Sequence, residues 1–304
     1  MNASDDTPTM AVMQKNKINM RKFFSIIVST LFAFNVFGTA QIPDILIYNR
    51  DTLSLFSCPL DSYPNQDLIN PKKLFGSSGC FYTACWRNYI ATWEIINDEL
   101  YLTKIRNACF PTDLRNVSVS YKSETKIDSI GSEYADLKKL FPRQFINGKV
   151  KADWVNEKLY SPQGNLLFYL HDGFLSIYET ELEFTLNNGK VIKYNKLDNS
   201  KTKKSRYTED QRLLKEYIHN NINFENLPKS DTIKRKVYIT ILSTDETGKI
   251  DRVKVARGVN EIYDKEAIRV VKSIPEWEVL FRHGKKLNSG WTIPIVFDLT
   301  NKKN

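Results

Sequence analysis

Four cysteines, three histidines and a few alternating glutamates are the residues of this 304-residue chain whose types could do chemistry. Cys58, Cys80, Cys85 and Cys109 all lie in the first half of the sequence. Zinc favours close pairs of the CxxC kind. Here four residues separate Cys80 from Cys85, and no histidine falls between Cys58 and Cys109. The four are read as candidate disulfide cysteines, with three full pairings open and Cys80/Cys85 the nearest pair in sequence. Buried free thiols are the alternative. His171, His219 and His283 are scattered, and although His171 adjoins Asp172, the chain has no GxSxG, HExxH or phosphate-binding loop. Glu179, Glu181 and Glu183 alternate as on the wet face of a strand. Arg87, set between aromatics, reads as ordinary surface packing. The residues therefore predict no catalytic site, no metal and no cofactor: the chain is read as a non-enzyme.

Elements must position whatever these residues do, and hydropathy periodicity supplies the candidates. Lys15, Lys17, Arg21 and Lys22 precede an apolar run over residues 23–37, which gives way to Gly38-Thr39-Ala40. A basic start, an apolar centre and a small-residue exit predict a signal peptide over residues 1–40, cleaved before Gln41. The run is shorter than the roughly 20 residues of a spanning helix. The mature chain is thus expected to have no stable membrane span, with a retained anchor as the alternative.

Residues 41–197 read as a β-rich domain. Asn49-Arg50-Asp51, Asn97-Asp98-Glu99 and Asn187-Asn188-Gly189 are turn signals between apolar runs. A short helix is expected over 133–141. Trp86, Trp93 and Trp154 are expected in the β-core. Residues 198–207, rich in Lys, Asn, Ser and Thr, read as a solvated linker.

Residues 208–304 read as a small second domain. Thr208 and Gln211 fit a capping box, with Leu213, Leu214, Tyr217 and Ile218 as the helix's packing face. A strand over 237–242, a turn ending at Gly248 and a strand over 250–256 follow. Asp264 stands where a helix N-cap is expected. Tyr263, Ala267, Val270, Val271 and Ile274 fall at helical spacing up to Pro275. Trp277 opens an irregular loop through His283-Gly284. The last strand runs from Trp291 to Leu299, with Trp291, Ile293, Ile295 and Phe297 inward and Thr292, Val296 and Asp298 outward. Pro294 lacks an N–H, which places that strand at a sheet edge. Trp291, Thr292, Ile293, Pro294, Ile295 and Val296 are accordingly the candidate partner-binding residues.

Charge separates the two halves. Residues 201–304 hold 22 Lys+Arg against 14 Asp+Glu, whereas residues 41–200 hold 18 against 19. The basic excess would favour an acidic protein partner. Its interleaving with acids does not suggest nucleic acid.

A family resemblance rests on Asp245…Gly248, Val253-Lys254-Val255-Ala256-Arg257-Gly258, Asp264-Lys265-Glu266-Ala267, Ile274-Pro275-Glu276-Trp277, Gly284-Lys285 and Ile293-Pro294-Ile295-Val296-Phe297. In order and spacing these resemble the C-terminal domain of TonB, over residues 208–299. The resemblance implies an α+β chain, with the N-terminal β-rich domain followed by a small TonB-like β-β-α-β domain and its preceding helix. It also implies protein docking in the periplasm or cell envelope of a Gram-negative bacterium, with a TonB-dependent outer-membrane transporter as partner and outer-membrane transport as context. Homodimerisation through the same edge is a second expected outcome. The linker is short and has no proline, unlike a long periplasmic spacer, so docking rather than energy transduction is implied. The segments Trp86–Glu94 and Ala152-Asp153-Trp154 resemble uncharacterised bacterial envelope proteins. The rival expectation is an envelope binding module whose N-terminal domain recognises a glycan or peptide.

Overall fold

The computed structural model describes residues 39–111, 130–228 and 233–298. The expected signal peptide, except Thr39 and Ala40, and also Leu299, lie outside them. Tight turns set the strand pairing of the first part. β1 (Asp44–Tyr48) and β2 (Asp51–Leu55) flank Asn49 and Arg50, both at positive φ. After α1 (Pro71–Phe75), β3 (Tyr89–Ile96) and β4 (Glu99–Asn107) flank Asn97 and Asp98, again both at positive φ. After α2 (Leu137–Leu140), the same device joins β5 (Phe145–Ile146) to β6 (Lys149–Lys151) through Asn147-Gly148. A long strand, β7 (Lys158–Phe168), leads into β8 (Ile177–Asn187), and Asn188-Gly189 turns β8 into β9 (Lys190–Asp198). Two consecutive left-handed residues match the twist of antiparallel strands, and Asn, Asp and Gly tolerate that conformation best.

The main path of this sheet is β2-β1-β3-β4-β9-β8-β7, antiparallel except where β1 runs parallel to β3. β4 meets β9 only at Glu99 opposite Lys190, beside the bond from Leu100 N–H to Gly189 O. The two halves of the strand path join there. Its two ends meet as well, because Phe56 N–H donates to Tyr160 O at 2.8 Å. Leu46, Trp93 and Leu102 from one half therefore share a dry core with Leu159, Phe184 and Leu186 from the other. Asp44 is wholly buried within it. Its carboxylate accepts from Arg87 (2.9 Å), Ala91 N–H (3.0 Å) and Trp93 Nε1 (3.0 Å). Burial pushes the Asp44 carboxyl above its ordinary value although all three partners favour the anion. Arg87, expected at the surface, is thus a buried ion-pair partner.

The second part begins with α3 (Arg206–Glu209) and α4 (Gln211–Asn221). β10 (Arg235–Thr244), β11 (Ile250–Arg257), α5 (Glu261–Lys272), the short hairpin β12 (Phe281–Arg282) and β13 (Lys285–Lys286), and β14 (Thr292–Phe297) follow. β11, β10 and β14 form an antiparallel sheet in that order. Its inner face packs Val237, Ile239, Ile241, Ile293, Ile295 and Phe297 against Ile218 of α4 and Tyr263, Ala267, Val270 and Val271 of α5. Gly248 holds a positive φ under Trp277. A Cβ there would lie 2.7 Å from Trp277 O, so only glycine lets the turn approach the loop this closely.

Several expectations change in the folded chain. The disulfide joins Cys80 to Cys109, not Cys80 to Cys85; Cys85 is free and buried, and Cys58 is free. The Cys85 thiol turns inward and donates to Tyr89 O instead. α5 is capped by Asn260, whose side chain accepts from Ile262 and Tyr263 N–H; Asp264 lies inside the first turn and accepts from Val259 N–H. α4 is capped by Asp210 rather than by the Thr208/Gln211 box, because Ser205 starts a separate turn at α3. The expected helix over 133–141 shrinks to the four residues of α2. His283-Gly284, read as irregular loop, is the two-residue turn of the β12–β13 hairpin.

Burial also departs from the pattern. Glu181 and Glu183 are buried, not on a wet face. Trp93 is core as expected, but Trp86 is 65% exposed. The run 198–207, expected to be solvated, is tied down: Asn199 is buried, and Lys203 pairs with Val279 through two backbone bonds.

Candidate functional site

The register of the three-stranded sheet decides which backbone groups face outward. Ile241 N–H donates to Trp291 O at 2.9 Å. Antiparallel hydrogen-bonded pairs alternate, so Ile239/Ile293, Val237/Ile295 and Arg235/Phe297 belong to the bonded set. Thr292, Pro294 and Val296 belong to the other set and turn their backbone groups away from β10. β14 pairs with β10 alone among the described strands. Its outer edge therefore offers N–H groups at Thr292 and Val296, carbonyls at all three positions, and no donor at Pro294. The proline sits where its missing N–H costs the sheet nothing.

A cleft of about 650 Å³ runs beside this edge. One wall is β14, with Trp291, Thr292, Ile293, Pro294 and Val296. The other is α4, with Gln211, Leu214, Lys215, Ile218 and His219, and Tyr207, Phe224 and Trp277 complete the lining. The lining is largely apolar, while the exposed Lys215 and His219 stand on the helical rim. Asp298 at the far end is paired with Lys234.

Trp291 is fixed at the start of the strand. Its Nε1–H donates to Glu278 Oε1 at 2.6 Å, and its ring meets Trp277 edge to face with centroids 6.1 Å apart. Glu278 is buried, and that burial raises its carboxyl above the ordinary range, the bond from Trp291 offsetting only part of the shift. On the other side of the sequence, α4 is held by its Asp210 cap and by Tyr217, whose hydroxyl donates to Ser273 O at the end of α5. Strand and helix thus bound the cleft from anchored positions.

Five of the six residues singled out in the sequence line the cleft. Ile295 does not; it is wholly buried in the sheet's core. Trp291, expected inward, is 40% exposed. The α4 wall was missed. Leu214 and Ile218 had been assigned to packing, and the sign of a second role was the stripe Gln211, Lys215, His219 at four-residue spacing, which puts one polar edge along one side of the helix.

A second group of titratable side chains lies elsewhere. His283 N–H and Nδ1 both approach Glu181 Oε2, at 3.0 and 2.8 Å, and the His283 ring stacks on Tyr160 at 3.9 Å. Tyr160 donates to Glu183 (3.2 Å), which also accepts from Lys158 and Asn195. Burial, then the charge of Glu183, pushes the Tyr160 phenol up to about 12. These groups satisfy one another, which is the pattern of a structural clasp between β7–β8 and the β12–β13 hairpin. Among the described residues, His, Cys, Asp and Glu do not gather in threes that could hold a metal ion.

No family model matches the chain, and no curated protein or solved structure matches it.

Proposed function

We propose that this chain is an exported envelope protein that docks a partner by accepting an extended segment of it along the outer edge of β14. The observation that carries this reading is the cleft of about 650 Å³ bounded by that unpaired edge and α4. A guest strand there gains backbone hydrogen bonds from Thr292 and Val296. Guest residues alternate in facing. Those directly opposite Thr292, Pro294 and Val296 share the solvent face, and those between point towards Leu214, Ile218 and Phe224. The guest that fits is therefore extended and apolar at every second position. Lys215 and His219 on the rim, with the basic excess of residues 201–304, favour acidic flanks.

Apart from the short β12–β13 hairpin inserted before the last strand, the element order helix, strand, strand, helix, strand over residues 211–297 is the order expected of a TonB-like C-terminal domain following a β-rich one. In that reading the partner is an outer-membrane transporter segment and the compartment is the periplasm. The test is calorimetric titration of the full chain with peptides from transporter N-termini, with sedimentation alongside. Saturable binding that a scrambled peptide does not reproduce is the expected result. A chain that stays monomeric and takes up no extended peptide at millimolar concentration sinks the reading. Self-association in place of peptide uptake would assign the edge to a homodimer.

A further inference from the structure

Away from the cleft, three aromatic side chains stand in solvent on one loop: Phe81 is 89% exposed, Trp86 65% and Tyr82 40%. The loop is not loose. Cys80 is bonded to Cys109 at its base, and Cys80 N–H donates to Asn88 Oδ1 at 2.7 Å. Within it, Cys85 N–H donates to Tyr82 O and Asn88 N–H to Cys85 O. Gly79 passes so close to Asn88 that a Cβ would lie 2.4 Å from its Oδ1. A stapled loop that holds large apolar rings outward is a contact surface prepared in advance.

Its surroundings point to what it contacts. The loop is bonded to the first described residues of the chain. Thr39 Oγ1 donates to Thr83 O at 2.6 Å, Ile42 N–H donates to Ala84 O at 2.7 Å, and Trp86 N–H donates to Gln41 Oε1 at 3.3 Å. Residues 40 and 41 in turn pair with Gly173, bringing in Leu175, itself 37% exposed. The three segments that meet here, 39–43, 77–86 and 173–178, contain no Asp, Glu, Lys or Arg. Exposed Trp, Tyr and Phe side chains on segments without charges of their own, with the exposed Asp172 at their border, have the composition of a membrane-interface belt, where each ring lies between acyl chains and headgroups.

We infer that the loop Cys80–Trp86 is a bilayer-contact surface, which inserts its aromatic rings into the headgroup layer of a membrane. It is separate from the cleft and does not depend on what the cleft binds. Without Lys or Arg in these segments, the contact is a matter of apolar insertion, not of attraction to anionic lipid.

The probe is the full chain mixed with phosphatidylcholine vesicles whose acyl chains carry bromine near the headgroup. No tryptophan precedes Trp86 in the sequence, so quenching there reports the loop and not the apolar run. The expected result is quenching that disappears in Trp86→Phe, and that Phe81→Ser weakens by about fivefold in lipid concentration. The Phe81→Ser protein should keep the far-ultraviolet dichroism and melting temperature of the wild type, since that ring is exposed and meets Trp86 edge to face at the surface. Adding phosphatidylglycerol should leave the midpoint nearly unchanged. Trp86 left unquenched, whether the chain binds the vesicles or stays off them, overturns the inference. So does quenching in Phe81→Ser equal to wild type, which would place the bilayer contact elsewhere.

Discussion

The two larger sheets among the described residues treat their edges differently. In the β-rich part the two ends of the strand path meet just past β2, where Phe56 N–H donates to Tyr160 O of β7 and Tyr160 N–H donates to Ser57 Oγ. In the three-stranded sheet, β14 keeps one side unpaired and a helix stands over the gap. An exposed edge invites pairing with any extended chain. β14 restricts that invitation through Pro294, which withholds one donor, and through α4, which limits access from the core side. Contact between the strand-path ends buries the core of one sheet, while the other leaves open the guarded edge on which the proposed docking rests.

The strongest way to break the comparison is to attack the closed sheet's core. Asp44→Ala leaves the Arg87 guanidinium buried without its carboxylate, and stability should fall by about 3–5 kcal/mol. Urea unfolding measures it. A loss below about 1 kcal/mol would mean that the closed sheet does not depend on this pair. Replacing both Cys80 and Cys109 by Ala should cost somewhat less, about 2–4 kcal/mol, through the freed unfolded chain. Melting in the presence and absence of reductant should reproduce the difference in the wild type.

Smaller effects probe the open edge. Val296→Pro removes an N–H that faces away from β10. It should weaken guest binding about tenfold, near 1.4 kcal/mol, with little change in melting temperature. Ile295→Pro is the paired control. Its N–H bonds to β10, so this variant should destabilise the fold itself. Equal behaviour of the two variants would show that the register does not govern binding.

The smallest effect concerns pH. Glu278 has its folded-state carboxyl raised above the ordinary 4.5 by burial. As pH rises through 4.5, the unfolded chain releases this proton while the folded chain still holds it. The folded state then binds more protons, so stability falls with pH up to the raised value. Glu278→Gln can still accept from Trp291 Nε1 but does not ionise. It should flatten that part of the stability–pH curve, as urea unfolding across pH will show. An unchanged slope would assign the pH dependence to the other raised carboxyls, Asp44 and Glu157.

Local chemistry was readable wherever neighbours in sequence decide it. Asn49-Arg50, Asn97-Asp98 and Asn188-Gly189 announced hairpins because the left-handed turn is a property of two residues. Ile239, Ile293 and Phe297 announced an inner face because strand period is a property of one strand. Pro294 announced an edge because its missing donor excludes a central ladder. Those same rules misread residues whose partners come from far along the chain. Glu181 and Glu183 alternate like a wet face, yet His283 and Lys158 bury them. Cys80 passes over its neighbour Cys85 for Cys109, because β3 and β4 return the chain to the same loop. The cleft itself is of this second kind. Its strand wall was written in residues 291–296, but its helical wall depends on where α4 comes to rest, and only the packing of Ile218 and Tyr217 against the sheet and α5 decided that.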